Sequence, residues 1–90
     1  DIMYAYLAEF LATLFFAYVV LATGNPLAIG AALALVLLLS YRYSSVTANP
    51  AVTITLAAAG KIEPSEIVPL CVVQILAGLV ALEIYKRFNI

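Results

Sequence analysis

An apolar segment that begins at Asn49-Pro50 and stops about ten residues later, before Gly60, constrains the fold of this chain more than any other feature. Proline suits the first turn of a helix because its missing N–H has no partner there, and the preceding asparagine can cap the free amides. At ~1.5 Å per residue such a helix is ~15 Å long, about half of a ~30 Å hydrocarbon core. The segment therefore predicts a re-entrant half-helix over about residues 50–59.

The composition predicts that lipid is the solvent of this chain. Of its 90 residues, 67% are hydrophobic and 10% are charged, and the mean hydropathy is +1.16. On a water-soluble domain of this size, that much Leu, Val, Ile and Ala would leave large apolar patches exposed. The net charge is −1 without any basic run, so nucleic acid is not an expected partner. We expect an integral, multi-pass membrane protein in contact with the lipid bilayer.

Three longer apolar stretches are predicted to cross the membrane, over about residues 2–22, 26–43 and 66–85. The second is short unless its interfacial cluster Tyr41-Arg42-Tyr43 extends it. Residues 44–48 show no regular pattern, and irregular backbone at membrane depth must be buried in protein or line a wet cavity. Three helices cannot easily enclose such a loop, so we expect oligomerisation. The predicted fold class is an all-α membrane protein, with three transmembrane helices and one re-entrant half-helix in a single unit over residues 1–90.

No residue pattern predicts catalysis. The chain has no histidine, and its single Cys71 lies inside an apolar run, where we interpret it as a packing residue. We find no nucleophile and base pair, no glycine-rich phosphate loop and no acidic metal cluster. The prediction is therefore a protein that is not an enzyme, with no catalytic residue, no metal ligand and no cofactor. The first apolar stretch contains Glu9 and lacks a basic region before it, so we expect a span there and not a cleavable signal.

Three groups of residues together resemble the aquaporin and glycerol-facilitator family. They are Glu9 to Thr13, Asn49 to Thr53, and Gln74 with Gly78. Proteins of that family contain two inverted repeats, each with three spans and one half-helix, and the Asn-Pro-Ala ends of the half-helices meet at mid-membrane. Nearly the whole of this chain resembles the first of these repeats. A second Asn-Pro pair, at Asn25, is expected only to cap an ordinary helix, because neither Ala-Val-Thr nor a half-length segment follows it.

The resemblance implies a role for eight residues. The side chain of Asn49 and the positive end of its helix would face a passing solute and repel cations. Glu9 would accept hydrogen bonds in the loop before the half-helix, and Gln74 would hydrogen-bond between helices. The narrowest part of the pore would be an apolar ring without a cation. The pore residues are Asn49, Pro50 and Ala51; the filter residues are Ile29, Val46 and Val52; the supporting residues are Glu9 and Gln74.

One segment departs from the usual pattern of the family, and one residue has an alternative role. The Ser-Gly-x-His approach that is usual in the family is replaced by residues 44–48, which lack both the glycine and the histidine. The alternative role of Glu9 is a proton-relay carboxylate, for which the sequence offers no histidine or second acid nearby.

The distribution of basic residues bears on the expected partner. Three spans put the termini on opposite sides; Arg42 and Lys61 then lie on one side, and Lys86 and Arg87 on the other. The positive-inside bias is therefore close to zero, as expected for a chain that inserts in both orientations. An antiparallel, dual-topology dimer would recreate the inverted repeat around a two-fold axis in the membrane plane.

The functional hypothesis is a passive channel for water or small uncharged solutes, with a pore completed by a second inverted copy. Polyol conduction, gas conduction and no conduction all stay open, because an apolar constriction can lose its water. The first alternative is a non-conducting structural membrane protein with the same fold. The second is one half of a hetero-oligomeric or longer channel.

Overall fold

The computed structural model describes residues 2–41 and 46–88, and this part of the chain is built from helices joined by short turns. The helices are α1 (Ile2–Thr23), α2 (Pro26–Ser40), α3 (Pro50–Ala58) and α4 (Ile67–Phe88), and a 3₁₀ turn over Pro64–Glu66 precedes α4. The all-α fold class predicted from the sequence is confirmed.

The helix ends follow local signals, and the bounds of α2 and α4 differ most from the predicted spans. The second helix ends at Ser40, earlier than the expected 43, and Tyr41 is its C-cap; residues 42 and 43 lie outside the described part of the chain. The fourth helix begins after the 3₁₀ turn that contains residue 66, and it continues to Phe88, past the expected 85. The nine-residue α3 is followed by Gly60, whose φ of +79° suits glycine because a Cβ is strained in that region.

Helices α1 and α4 form a parallel pair. Near their starts, the hydroxyl of Tyr6 donates a hydrogen bond to Oε1 of Glu66, 2.6 Å away. Near their ends, the rings of Tyr18 and Tyr85 meet edge to face with centroids 6.4 Å apart. Between these contacts α4 presents small residues, because Ala77 and Ala81 are fully buried, which lets the two backbones approach closely.

Helix α2 returns antiparallel to α1, since only two residues separate the end of one from the start of the other. A small apolar core lies between α1, α2 and the segment before α3. Its buried members are Ala12, Val36, Val46 and Ala48. This core fixes where the chain arrives at α3, and therefore where Asn49 lies.

Two helices are long and apolar enough to cross a membrane. These segments are Met3–Thr23, with a mean hydropathy of 1.9, and Pro64–Phe88, with a mean hydropathy of 2.4. Helix α2 is also apolar but has 15 residues, ~22 Å at 1.5 Å per residue. Only 17% of each long apolar window is buried within the chain, so most of its apolar surface faces outward.

Candidate functional site

Asn49 caps the short helix α3. Its backbone is extended, with φ −160° and ψ 120°, and its side-chain Oδ1 accepts hydrogen bonds from the amides of Ala51 at 2.8 Å and Val52 at 3.4 Å. Pro50 occupies the first helical position, where no amide needs a partner. Asn49 and Ala51 are exposed. The start of α3 therefore presents a polar amide side chain at the surface of an apolar chain.

The other Asn-Pro pair makes the same cap. Oδ1 of Asn25 accepts hydrogen bonds from the amides of Leu27 at 2.9 Å and Ala28 at 3.1 Å, so the expectation that Asn25 caps α2 is confirmed. Capping alone therefore does not distinguish the two pairs. They differ in what precedes them: Asn25 follows the end of α1 after one residue, whereas Asn49 follows a segment that is tied to two other helices.

Glu9 holds the backbone just before Asn49. Its side chain is 1% exposed, and its two oxygens accept hydrogen bonds from the amides of Thr47 at 3.2 Å and Ala48 at 2.5 Å. Ala48 has φ +54°, a left-handed conformation that is costly for a residue with a Cβ. A carboxylate that binds two consecutive amides compensates this strain, because it satisfies two donors that the turn leaves without other partners.

Gln74 holds the same segment from α4. Its Nε2 donates to Oγ1 of Thr47 and to Oγ1 of Thr53, both at 2.9 Å, and the two threonine oxygens are 2.7 Å apart. Oγ1 of Thr53 also donates to the main-chain carbonyl of Asn49 at 2.9 Å. Since a hydroxyl has one proton, Thr47 must then be the donor to Thr53. The amide, the two hydroxyls and the carbonyl form one consistent donor-to-acceptor chain, which fixes the first turn of α3.

The three filter positions are not equivalent in the structure. The side chain of Val46 is 8% exposed and lies in the core with Ala12 and Val36. It fills space between helices and does not reach the surface of the single chain. Its role in a filter, which the sequence analysis expects in a pore formed with a second copy, stays a prediction. Val52 is 41% exposed, and Ile29 is half-buried.

The two remaining filter positions lie at different levels along the bundle. Ile29 is in the first turn of α2, at the end where α1 finishes. Val52 is in the first turn of α3, close to the segment that Glu9 holds in the first half of α1. A single ring that contains both side chains would therefore take them from two different copies of the chain.

Two residues of the site were not singled out from the sequence as supporting residues. Thr47 and Thr53 are 9% and 0% exposed, and each makes several hydrogen bonds in the network. The signal available in the sequence is chemical: a hydroxyl inside a chain of this hydropathy needs a partner, because an unpaired polar group is costly in an apolar environment.

A surface groove lies between α1 and α2, next to the small apolar core that contains Ala12 and Val36. It has a volume of about 890 Å³ between α1 and α2, and it is lined almost entirely by apolar side chains, among them Leu7, Leu11, Phe15, Leu35 and Leu39. Leu11 is two residues from Glu9, ~200° around the helix, so the groove opens on the face of α1 opposite the buried carboxylate. The polar side chains in its lining are Tyr4 and Ser40.

Among the described residues, no group of His, Cys, Asp or Glu side chains is arranged to hold a metal ion. No protein-family model matches the chain, and no curated protein or solved structure gives a significant match. The fold and the site define an all-α protein with two helices of membrane-spanning length and a short capped helix that a buried polar network holds in place.

Proposed function

We propose that this chain is one half of a passive membrane channel for water or small uncharged solutes, in which a second, inverted copy completes the pore. In this proposal α1, α2 and α4 cross the bilayer and α3 is a re-entrant half-helix. The observation that carries this proposal is the polar start of α3. The side chain of Asn49 is exposed there, and Glu9 and Gln74 bind the segment just before it.

The placement of charge supports a membrane location. Apart from Glu9, the charged side chains of the described residues lie between α3 and α4 or in the last six residues of α4; they are Lys61, Glu63, Glu66, Glu83, Lys86 and Arg87. Between these zones large apolar side chains face outward on every side, for example Leu11 at 57%, Leu38 at 68% and Val68 at 69% exposure. Exposing so much apolar surface to water is unfavourable for a monomer, whereas contact of the same surface with lipid is not.

The depth of Asn49 supports a pore. Glu9 lies seven residues into α1 and Gln74 seven residues into α4, ~10 Å from the start of each helix, and both bind the segment next to Asn49. From there α3 runs nine residues, ~14 Å, back toward the charged turn that contains Lys61. The exposed amide of Asn49 therefore lies well inside the hydrocarbon zone, where it needs either a polar partner or water.

With a second inverted copy, the partner is a water or solute molecule held between the two chains. If the two α3 helices meet at their first turns, each Asn49 faces the amide-rich start of the other helix, and a solute between them finds hydrogen-bond donors on both sides. Both positive helix ends then point at the same place, which repels cations. The different levels of Ile29 and Val52 fit this arrangement, because an inverted partner exchanges the two ends of the bundle.

Osmotic shrinkage of proteoliposomes tests conduction. We expect the wild-type protein to accelerate shrinkage in stopped-flow light scattering, and we expect Asn49→Leu to abolish the effect. Asn25→Leu is the matched control, because it removes an equivalent helix cap outside the proposed pore. A second run with glycerol in place of the impermeant osmolyte separates water from polyol conduction.

A bulky side chain placed in the wall of the proposed pore can block it without removing the helix cap at Asn49. We expect Val52→Trp to block flux, whereas Ile54→Trp, on the other side of α3, leaves it intact; both positions are exposed. Equal block by both variants, or equal loss of flux with the two Leu variants, would argue against a pore at the start of α3.

The inverted pair is tested separately by the location of the C-terminus. A reporter fused after Ile90 is expected on both sides of the membrane in a mixed population. If every reporter lies on one side, the partner is a different half-channel, and the homodimer proposal fails even where conduction is observed.

The apolar walls favour a second candidate, a non-conducting structural membrane protein with the same fold. Ile29 and Val52 carry no polar atom, and a constriction built only from such residues can exclude water. Shrinkage rates equal to those of empty liposomes, for both water and glycerol and with correctly folded protein, would select this function.

A further inference from the structure

Thr13 differs from the other hydroxyl residues in the described helices. The side chains of Thr23, Ser40, Thr53 and Thr55 each donate a hydrogen bond to the main-chain carbonyl four residues earlier, at 2.6 to 2.9 Å. Oγ1 of Thr13 has no hydrogen-bond partner among the described residues, although the side chain is only 6% exposed. Thr13 therefore lacks the hydrogen bond to the carbonyl four residues earlier that these other four side chains make.

Gln74 has a complementary unpaired atom. Its Nε2 makes two hydrogen bonds to threonine hydroxyls, but its Oε1 is buried and has no partner among the described residues. Turning the amide over would direct Nε2 away from both threonine oxygens, which would lose these two bonds and leave two donors unpaired. The observed orientation is thus the better one, and it leaves one acceptor unsatisfied in a residue that is 2% exposed.

Both unpaired atoms belong to the seam between α1 and α4. Ala12 packs toward α2 through Val36, and Thr13 follows it by ~100° around α1, on the side away from α2. The contacts Tyr6–Glu66 and Tyr18–Tyr85 lie near the two ends of this seam. Interpolating along the helix axes between these contacts places Thr13 within about one helical turn of the level of Gln74.

We infer that a single buried water molecule binds in this seam, donating a hydrogen bond to Oε1 of Gln74 and pairing with Oγ1 of Thr13. Buried waters bind between polar groups that the protein leaves unsatisfied, and one carbonyl acceptor and one hydroxyl in the same seam offer a water two partners of suitable chemistry. The water extends the network that holds the start of α3, because Gln74 then uses all of its polar atoms. The inference does not rest on the proposed function, since a structural protein with this fold needs the same network.

Thermal unfolding of variants tests the site. We expect Thr13→Val, which keeps the shape but removes the hydroxyl, to lower the midpoint by about 4–8 °C, the shift that a chain of this size shows for one lost interaction of this kind. Thr13→Ser keeps the hydroxyl and is expected to retain most of the wild-type midpoint. A midpoint for Thr13→Val that equals or exceeds that of the wild type would overturn the inference.

A double substitution isolates the pairing of the two residues. In a Gln74→Met background the water has lost one of its partners, so adding Thr13→Val is expected to cause little further change. Additive losses would show that the two residues act independently and would overturn the site. An experimental density map at a resolution that shows ordered water is the direct test: a peak within hydrogen-bond distance of both oxygens supports the inference, and Thr13 bonded instead to the carbonyl of Glu9 overturns it.

Discussion

At the scale of residues, the chain concentrates its buried polar groups in one region. Among the described residues, the buried polar or charged side chains are Glu9, Thr13, Thr47, Thr53 and Gln74. All of them lie in the segment before α3, in its first turn, or on the faces of α1 and α4 that pack around it. In an apolar environment each such group is costly unless it is paired, so this concentration points to a requirement for one backbone conformation at the start of α3.

The first prediction concerns the carboxylate that binds two amides. Glu9→Gln is nearly the same shape, but its Nε2 would meet an amide donor where an oxygen now accepts. We expect a loss of about 1–3 kcal/mol in the free energy of unfolding, because one buried N–H loses its partner. Denaturation in detergent micelles measures this loss, and a stability equal to that of the wild type would contradict the assigned hydrogen bonds.

The second prediction concerns the hydroxyl at the centre of the network. Thr53→Val removes an oxygen that accepts from Thr47 and Gln74 and donates to the carbonyl of Asn49. We expect a loss of about 1–3 kcal/mol, since buried partners are left unpaired. Thr55→Val is the matched control on the same helix, because Thr55 is exposed and donates only to Ala51, and it is expected to change stability by less than ~0.5 kcal/mol.

At the scale of elements, α3 depends on its surroundings. A helix of nine residues is too short to be stable alone, because nucleation costs more than so few hydrogen bonds return. It is stabilised by the cap at Asn49, by the bonds from Gln74 and by packing against α4. The turn at Ala48 directs the chain into the helix, so the conformation of that single residue determines where α3 points.

The third prediction tests this turn. At φ +54° a β-branched residue is more strained than alanine, so Ala48→Val is expected to destabilise the protein by about 2 kcal/mol. Ala48→Gly relieves the strain but loses a buried methyl group, and the two effects nearly cancel, so we expect a change below ~1 kcal/mol. Equal losses for the two variants in urea or thermal unfolding would show that the left-handed conformation is not present.

At the scale of the whole molecule, the described bundle is open. The chain exposes 5964 Å², whereas a compact monomer of its mass exposes roughly 5,100 Å². The difference, roughly 900 Å², is similar to the ~800 Å² that one partner contributes to a standard interface. In the proposed membrane dimer this area would not drive association by itself, so packing and the pairing of polar groups would supply the free energy.

The fourth prediction distinguishes the two possible orientations of such a dimer. After Cys71 is replaced by Ala, a cysteine at exposed Ala51 lies near the two-fold axis of an inverted pair and is expected to cross-link copies upon oxidation. A cysteine at Lys61, beyond the far end of α3, would lie on opposite sides of the membrane in the two copies and should stay monomeric. Cross-linking at position 61 without cross-linking at position 51 would indicate a parallel pair.

The helices and their caps could be predicted from the sequence because the interactions that specify them are local. Asn25 and Asn49 each cap the amides two and three residues later, and the prolines after them fix the start of each helix. The all-α class followed from hydropathy and segment length. The span predicted over about residues 26–43 includes the interfacial cluster that begins at Tyr41, whereas helix α2 itself ends at Ser40.

The supporting contacts required the tertiary structure, because they join residues far apart in the chain. Glu9 is 38 and 39 residues from the amides that it binds, and Gln74 is 27 and 21 residues from its threonine partners. No local pattern indicates the inward orientation of Val46 or the left-handed conformation of Ala48. The sequence alone determined that short and long apolar helices form and where α2 and α3 start. Tertiary packing decided which of their few polar side chains meet, because only close-packed helices bring buried donors and acceptors within bonding distance.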